Sequence, residues 1–532
     1  MSKLLHQLNE PVRLKALTVA MMMAFGSFAP LPVLADERTD LETLRQTTLN
    51  LIQILVLQGV LNQDKADQLV KQAEGKAMET VAAQKKADAA VVRVQYVPEA
   101  VRKQIADQVR EEVVAQAKVE RWGDANAIPE WVDRLKLEGE LRVGYQGDMF
   151  SKNNAPEIFH QVQGQNVNNT TENRDRLTRR ARFGLNARIT PDVSAVLRLT
   201  TGSSTSPVST SQTLGQTLAQ SGNKYGFSLD RAYVKAHSDD FLPWVTASAG
   251  RLPNPWFGSD LVWNDNLNFE GVAVQLEPVN QSTSTWRPFA TLGAFPLLEV
   301  EQSSSVKGKD KWLLGAQVGV EWVPDNKTRA KLGLAYYDFR DVSGMRNSNL
   351  DTSLNVTAAL NRQKGNTLFN ITNPITNTSA DFFGLAGDYQ LLNLTGVVDL
   401  NLYNPVHVVL SGDYVKNVGF TREKVLARTG FAVAPETTGY VAKVSVGMTN
   451  MLLKNDWQVS LAYRHLERDA VLDALTDSDF HLGGTNNKGY ILGAQYGLGK
   501  NAWLSARWMS SNEISGLPLA VDVVQLFFNA KF

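Results

Sequence analysis

From Trp131 onward, apolar and polar residues alternate with a period of two. Between Arg134 and Tyr145, the odd positions hold Leu135, Leu137, Leu141, Val143 and Tyr145, and the even ones hold Lys136, Glu138, Glu140 and Arg142. Successive side chains of a strand point to opposite faces, so this stretch predicts a strand with one oily and one strongly polar face. The next strand repeats the design, setting Leu177, Ala181, Phe183, Leu185 and Ala187 against Arg180, Arg182, Asn186 and Arg188. The pattern recurs to the end of the chain. Its connections alternate between short turns, as at 190–192, 324–327 and 403–405, and long polar loops, as at 147–175, 253–266, 341–380 and 468–486. Strands of about ten residues suit a tilted crossing of a membrane's apolar layer. Short turns on one side and long loops on the other are the asymmetry of outer-membrane barrels. The predicted fold is an all-β transmembrane antiparallel barrel over residues 131–532. Its strand count is about sixteen, or about eighteen if the 341–380 loop hides a hairpin of Leu354–Leu360 with Thr367–Thr372. A soluble sandwich also alternates, but its apolar face would turn inward. Aromatics near strand ends, among them Trp244, Trp263, Trp312, Trp322, Tyr336 and Tyr337, are expected in interfacial girdles.

Upstream of the barrel the period is helical. Leu41, Leu44, Leu51 and Leu55 recur at three- and four-residue steps, Ala66, Leu69, Val70 and Ala73 follow, and Val101, Ile105, Val109 and Val113 begin after Pro98. Residues 36–130 therefore form a helical segment, either a hairpin with a linker or a self-associating coiled coil. At the N-terminus, Lys3, Arg13 and Lys15 precede the apolar run 16–25, and Val33-Leu34-Ala35 precedes Asp36. That arrangement predicts a signal peptide over 1–35, cleaved after Ala35. Beyond Ala35 no apolar run reaches the roughly 18–20 residues of a transmembrane helix. A closed barrel is the other way of satisfying every backbone group in lipid.

Composition narrows the chemistry further. The 532 residues carry 54 basic and 54 acidic side chains, so no charge bias points to nucleic acid. There is no cysteine, which excludes disulfide scaffolds and thiolate metal sites. His160, His237, His407, His465 and His481 lack ligand-like spacing, and neither Gly-x-Ser-x-Gly nor His-Glu-x-x-His occurs. Ser304–Lys307 matches Ser-x-x-Lys but falls in a polar loop. No enzymatic activity, cofactor or metal centre is expected.

In the last strand, Val524, Leu526, Phe528, Ala530 and Phe532 share one face, with Gln525, Asn529 and Lys531 on the other. An alternating strand ending in Phe532 resembles the assembly signal read by the barrel assembly machinery. Together with Leu55–Ala73, Pro129–Tyr145, the arginine row of Arg174–Ile189, Leu229–Lys235 and Gly250–Phe257, it makes the chain resemble proteobacterial outer-membrane porins that place a helical segment before the barrel, within the trimeric porin superfamily. The resemblance covers most of the mature chain. It implies a homotrimer in the Gram-negative outer membrane, a water-filled channel for small hydrophilic solutes and ions, and a third long loop folded into the pore. A structural or adhesive barrel with a periplasmic tether is the alternative.

If apolar residues face lipid, the alternate ones line the lumen. Arg142, Arg180, Arg182, Arg188, Arg198 and Arg251 are the expected pore-lining cations. Such a row favours anions, unless the arginines pair with Glu138, Glu140 and Asp230. In the 253–266 loop, Trp256, Asp260, Trp263 and Asp265 are the candidate constriction residues. They either set a transverse field against the arginines or simply pack the loop on the wall. Asp469, Asp473, Asp477 and Asp479 crowd the seventh long loop, either as a solvated acidic stretch or as a divalent-cation site shared with lipopolysaccharide.

Overall fold

The structure, a computed structural model, describes Lys71 and residues 132–532 apart from 216–223, 279–283, 349–350 and 373–380. The expected signal peptide and the 36–130 helical segment, Lys71 excepted, lie outside the described residues. Sixteen long strands follow one another in an antiparallel meander. They are β1 (Leu135–Phe150), β2 (Arg174–Arg188), β3 (Val193–Thr200), β4 (Ser228–His237), β5 (Val245–Pro253) and β6 (Asn268–Leu276). Next come β7 (Trp286–Leu298), β8 (Lys311–Trp322), β9 (Thr328–Arg340), β10 (Tyr389–Tyr403) and β11 (Val406–Asn417). The ring ends with β12 (Thr438–Gly447), β13 (Trp457–Leu466), β14 (Asn487–Gly499), β15 (Ala502–Glu513) and β16 (Ala520–Lys531). The same sheet includes a two-residue strand, Gln212–Thr213, laid against β2. The hairpin suspected within 341–380 does not form as expected: Asn355–Thr357 is a 3₁₀ turn, and Leu368–Asn370 pairs instead with Phe383–Leu385, outside the barrel sheet. The barrel therefore has sixteen strands and not eighteen.

Closure comes from β1 and β16, which pair from Glu140↔Lys531 to Phe150↔Val521. Beyond the ladder, Gly139 and Phe532 exchange backbone hydrogen bonds of 2.8 and 3.0 Å. The Phe532 ring lies over Gly139, where a side chain would collide with it. The alternation in sequence is realised as outward and inward faces. Leu137, Phe183, Leu292, Val318, Leu332 and Leu461 are exposed on the outside, while Glu140, Arg182, Gln317, Asp413 and Arg464 turn inward. Trp244, Trp312, Trp322 and Tyr336 are exposed, as a girdle requires. Trp263 and Tyr337 correct that expectation, because both are buried inside the barrel. Tyr336 and Tyr337 are neighbours on one strand, so only one of them can face lipid.

The seam leaves no room at Gly144, where a Cβ would sit 2.0 Å from the Leu526 carbonyl oxygen. At Gly412 the nearest atom would be 3.8 Å away. Gly144→Val should destabilise the barrel by about 1–3 kcal/mol through overpacking, and Gly412→Val should be nearly neutral. Urea midpoints of the folded band in unheated electrophoresis compare the two; equal midpoints would show that the seam is not a close-packed point.

Candidate functional site

Charge inside the lumen is concentrated on β1–β4. Arg142 and Arg180 are cross-strand neighbours, as are Glu140 and Arg182. Glu140 receives a hydrogen bond from Arg180 and lies 3.5 Å from Arg182. Asp230 sits in a bulge of β4, 2.6 Å from Arg198 and 3.9 Å from Arg182. Asn268 Nδ2 also donates to it at 2.6 Å. Three of the expected arginines are thus tied to two carboxylates, and Glu138 pairs with Lys136 instead, at 3.6 Å. Arg142 differs. It donates to Ser211 Oγ at 2.6 Å and lies 4.5 Å above the Phe527 ring, with no carboxylate within 4 Å among the described residues. Arg188 faces inward at the end of β2 next to a short turn, in a groove with Lys136, Lys235 and His237.

Arg251 is not a lumen residue. Its cross-strand neighbours are Ala232 and Glu270, and the adjacent Leu252 packs inward with Phe269, Trp256 and Trp263. Arg251 therefore lies on the outer face, 2.6 Å from Glu270. Val245, Ala247 and Ala249 precede it on the same face, so strand parity overrides the expectation raised by its charge.

The 254–267 loop crosses the interior. Phe257 N donates to Gln317 Oε1 at 2.8 Å, and Gln317 Nε2 returns a 2.6 Å bond to Phe257 O. Ser259 donates through N and Oγ to Asp413 on β11, at 3.0 and 2.6 Å. Thr476 Oγ donates to Leu261 O at 2.8 Å, and Asn264 N to Leu475 O at 2.8 Å. Asn266 Oδ1 then accepts from Arg180 and Arg182 of β2, at 3.2 and 2.8 Å. β11 and β2 are nine places apart (11 − 2) in the ring of sixteen, so they are nearly opposite. The eight residues from Ser259 to Asn266 span the lumen as a strap.

One end of the strap rests on an aromatic seat. Trp256 packs edge-on against Phe295 and Tyr337, with ring centroids 6.1 and 5.1 Å away, and Trp263 packs on Tyr337 and Phe269 at 4.9 and 5.1 Å. Trp256 fits only because Gly315 and Gly293 form the wall beneath it, where a Cβ would come within 2.6 and 3.0 Å of its ring. The other face of the strap is acidic. Asp260 lies 3.8 Å from the buried Arg464, which is also 3.7 Å from Asp477. Burial and the neighbouring Asp477 push the Asp260 carboxyl above its ordinary range. Asp265 is exposed to lumen water yet enclosed by the barrel. That confinement, with Asp260 and Asp477 nearby, pushes it up to about 6.

Arg507 was not anticipated. It faces inward from β15, 3.2 Å from Asp479, and completes the basic wall with Arg142. Leu504, Ala506 and Trp508 alternate with Ser505 and Arg507, so periodicity alone marks it as lumenal. Asp469, Asp473 and Asp477 correct the solvated-loop expectation, since all three are buried. Asp469 accepts from Thr367 N and Oγ at 2.9 and 2.6 Å and from the Tyr389 hydroxyl at 3.0 Å. The completely buried Asn366 bonds to Arg468 O and Val471 O, and receives Asp473 N. The 341–388 and 467–486 loops are thereby interlocked over the strap. No group of three or more histidines or carboxylates able to hold a metal occurs among the described residues.

Trp256→Ala should empty the seat at a cost of about 3–5 kcal/mol and free the strap. Limited proteolysis of the folded barrel should then cut within 254–267; a strap as resistant as in the parent protein would place its anchor elsewhere.

Comparison with solved structures gives similar barrels at low identity. Pseudomonas putida OprB is 12% identical, covering 76% of this chain and 96% of its own, with a TM-score of 0.44. The outer membrane channel DcaP of Acinetobacter baumannii is 12% identical, with 75% and 97% covered and a TM-score of 0.38. For OmpF of Salmonella typhi the values are 10%, 75%, 97% and 0.38. No curated protein matches the chain. A family model described as "Putative porin" matches residues 45–532, and the chain belongs to that family.

Proposed function

We propose that this outer-membrane porin passes small hydrophilic solutes and ions by diffusion through an eyelet beside the strap. The observation that carries the reading is the crossing from Asp413 to Arg180 and Arg182. It fills the side of the lumen holding Trp256 and Trp263 and leaves the wall of β15, β16, β1 and β2 to face the path. On that wall stand Arg142, Arg180, Arg182 and Arg507, the last in contact with Asp479; the strap and the loop above it carry Asp260, Asp265 and Asp477. This is a transverse field, which orders the passage of dipolar and charged solutes. The reading includes a cleaved signal over 1–35, the periplasmic helical segment 36–130 and assembly of three barrels, supported by the leucine spacing in 41–55. It assigns the protein no catalysis.

The pairing of Arg180, Arg182 and Arg198 with Glu140 and Asp230 cancels most of the arginine row. Arg142, without a carboxylate partner, leaves a weak preference for anions. A second reading, a barrel that conducts poorly and serves a structural or adhesive role, draws on the interlocked loops around Asn366. Deleting 256–264 should raise single-channel conductance in planar bilayers; an unchanged value puts the constriction elsewhere, and no conductance in the parent protein favours the second reading.

The acidic lip also titrates. With its pKa raised to about 6, Asp265 is ionised at pH 7.5 and protonated at pH 5. Loss of that negative charge raises the anion-to-cation permeability ratio as pH falls through about 6. Asp265→Asn should hold the ratio at its low-pH value throughout. Reversal potentials in a salt gradient read this directly, and a wild-type ratio flat between pH 5 and 7.5 counts against the role of Asp265.

A further inference from the structure

The short-turn end of β1–β4 holds cations of a different kind from those beside the strap. A groove of about 380 Å³ opens there, lined by Arg134, Lys136, Arg188 and Lys235, with Asn186 and Ser194 between them. Arg188 is the cross-strand neighbour of Ser194, and Ser194 of Lys235, so the three form one row across β2, β3 and β4. Cross-strand neighbours share a face. Leu197 and Val234 are exposed on the outer wall. Ser194 and Lys235 lie an odd number of positions from them, so both face the lumen with Arg188.

Higher in the same strands, Arg180, Arg182 and Arg198 are neutralised by Glu140 and Asp230. At the mouth the acids are fewer and otherwise engaged. Glu138 lies 3.6 Å from Lys136, and Asp239 lies 3.3 Å from His237. Asp192 is the one carboxylate that lines the groove. Among the described residues, neither Arg188 nor Lys235 has a carboxylate within 4 Å, and the Ser194 hydroxyl has no hydrogen-bond partner. Side-by-side cations in a concave wall, with little counter-charge, concentrate anions.

We propose that this groove is a binding subsite for a phosphate group, free or carried by a small solute, held by the Arg188 guanidinium, the Ser194 hydroxyl and the Lys235 ammonium. The inference deepens the porin reading by naming a solute class, and it rests on that reading for the solute's route. Neighbouring strands lie about 4.8 Å apart, so the Arg188 and Lys235 backbones stand roughly 10 Å apart with the hydroxyl midway. Long side chains from either side reach a common point above Ser194. A tetrahedral oxyanion presents oxygens in several directions and takes the guanidinium fork, the hydroxyl and the ammonium together. A rigid dicarboxylate would put one carboxylate on each cation and lay its apolar link over the hydroxyl. The groove opens to the lumen, so a lipid headgroup does not reach it. Weak binding in contact with water suits a channel, whose solute must enter a site and also leave it.

The test is phosphorus NMR of inorganic phosphate titrated with the full-length protein in detergent at low ionic strength, where line broadening reads binding. Wild type should bind, and Arg188→Gln with Lys235→Gln should weaken binding by roughly tenfold or more. Lys454→Gln with Lys500→Gln removes the same charge from short turns elsewhere at the same end. That pair should change binding by less than about twofold, because screening confines the effect of distant charges. Folding of each variant is checked by heat-shift electrophoresis. Equal weakening by the two folded pairs, or none by the first, overturns the proposal. So does displacement of phosphate by fumarate as readily as by sulfate at equal ionic strength. A wild-type barrel that binds phosphate but conducts no chloride in planar bilayers defeats the porin reading alone. One that conducts chloride and binds no phosphate defeats the groove alone.

Discussion

The constraint on which everything else rests is that a strand in lipid has no water to satisfy its backbone, so the sheet must close. Here closure depends on the pairing of β1 with β16, extended by the two bonds between Gly139 and Phe532. Once the ring is closed, each strand has two faces and no choice about them. Leu137, Leu141 and Val143 go to lipid, and Glu138, Glu140 and Arg142 go inside. The charged interior follows from the oily exterior. It also creates a difficulty, since guanidinium groups in an enclosed lumen need partners. Glu140, Asp230 and Asn266 supply them, and in doing so they hold the arginines in fixed positions on the wall.

The strap is the second consequence. A loop that enters the barrel must satisfy its own backbone groups, and this one does so with side chains drawn from distant strands. Gln317 takes both polar groups of Phe257, and Asp413 takes the Ser259 amide and hydroxyl. Asp469 does the same for Thr367 one layer above. These buried carboxylates are acceptors that hold loops, which is why acids concentrated in the 467–486 loop need no metal to explain them. Fully satisfied networks of this kind rigidify. The aromatic seat under Trp256 adds apolar packing at the one place where Gly293 and Gly315 let the loop approach the wall.

The barrel was legible because alternation, loop asymmetry and the terminal strand are all local in sequence. The same rule, applied strictly, places Arg507 inside and Arg251 outside. Both were obscured where neighbours such as Ala506, Ala247 and Ala249 are small, so that contrast between the faces is weak and residue type dominates the eye. The loops were a different matter. Nothing periodic marks which residues of 254–267 or 467–486 turn inward, and their partners lie up to hundreds of positions away, as with Thr476 and Leu261. Trp263 fits both a girdle and the constriction by sequence, because composition cannot choose between a lipid-facing and a lumen-facing indole. The bond partners of Asn366, drawn from a loop about a hundred residues further along the chain, have no signature in its own segment at all.

These placements decide how much the fixed charges can do. A carboxylate and a guanidinium in contact act on a passing ion as a dipole, whose field falls off faster than that of a single charge. Screening in salt at physiological strength reaches about 8 Å, so only charges facing the path closely and without a contact partner impose a sign. Among the described residues at the eyelet, Arg142 on the wall, Asp265 on the strap and Lys443 on β12 meet that description, as none has an oppositely charged group within 4 Å. The remaining charges of the eyelet shape its geometry more than its potential. Selectivity then follows from a few unpaired charges held in place by the wall and the strap. The place of Asp265 is set by the flanking bonds of Asn264 and Asn266, and not by the number of arginines in the row.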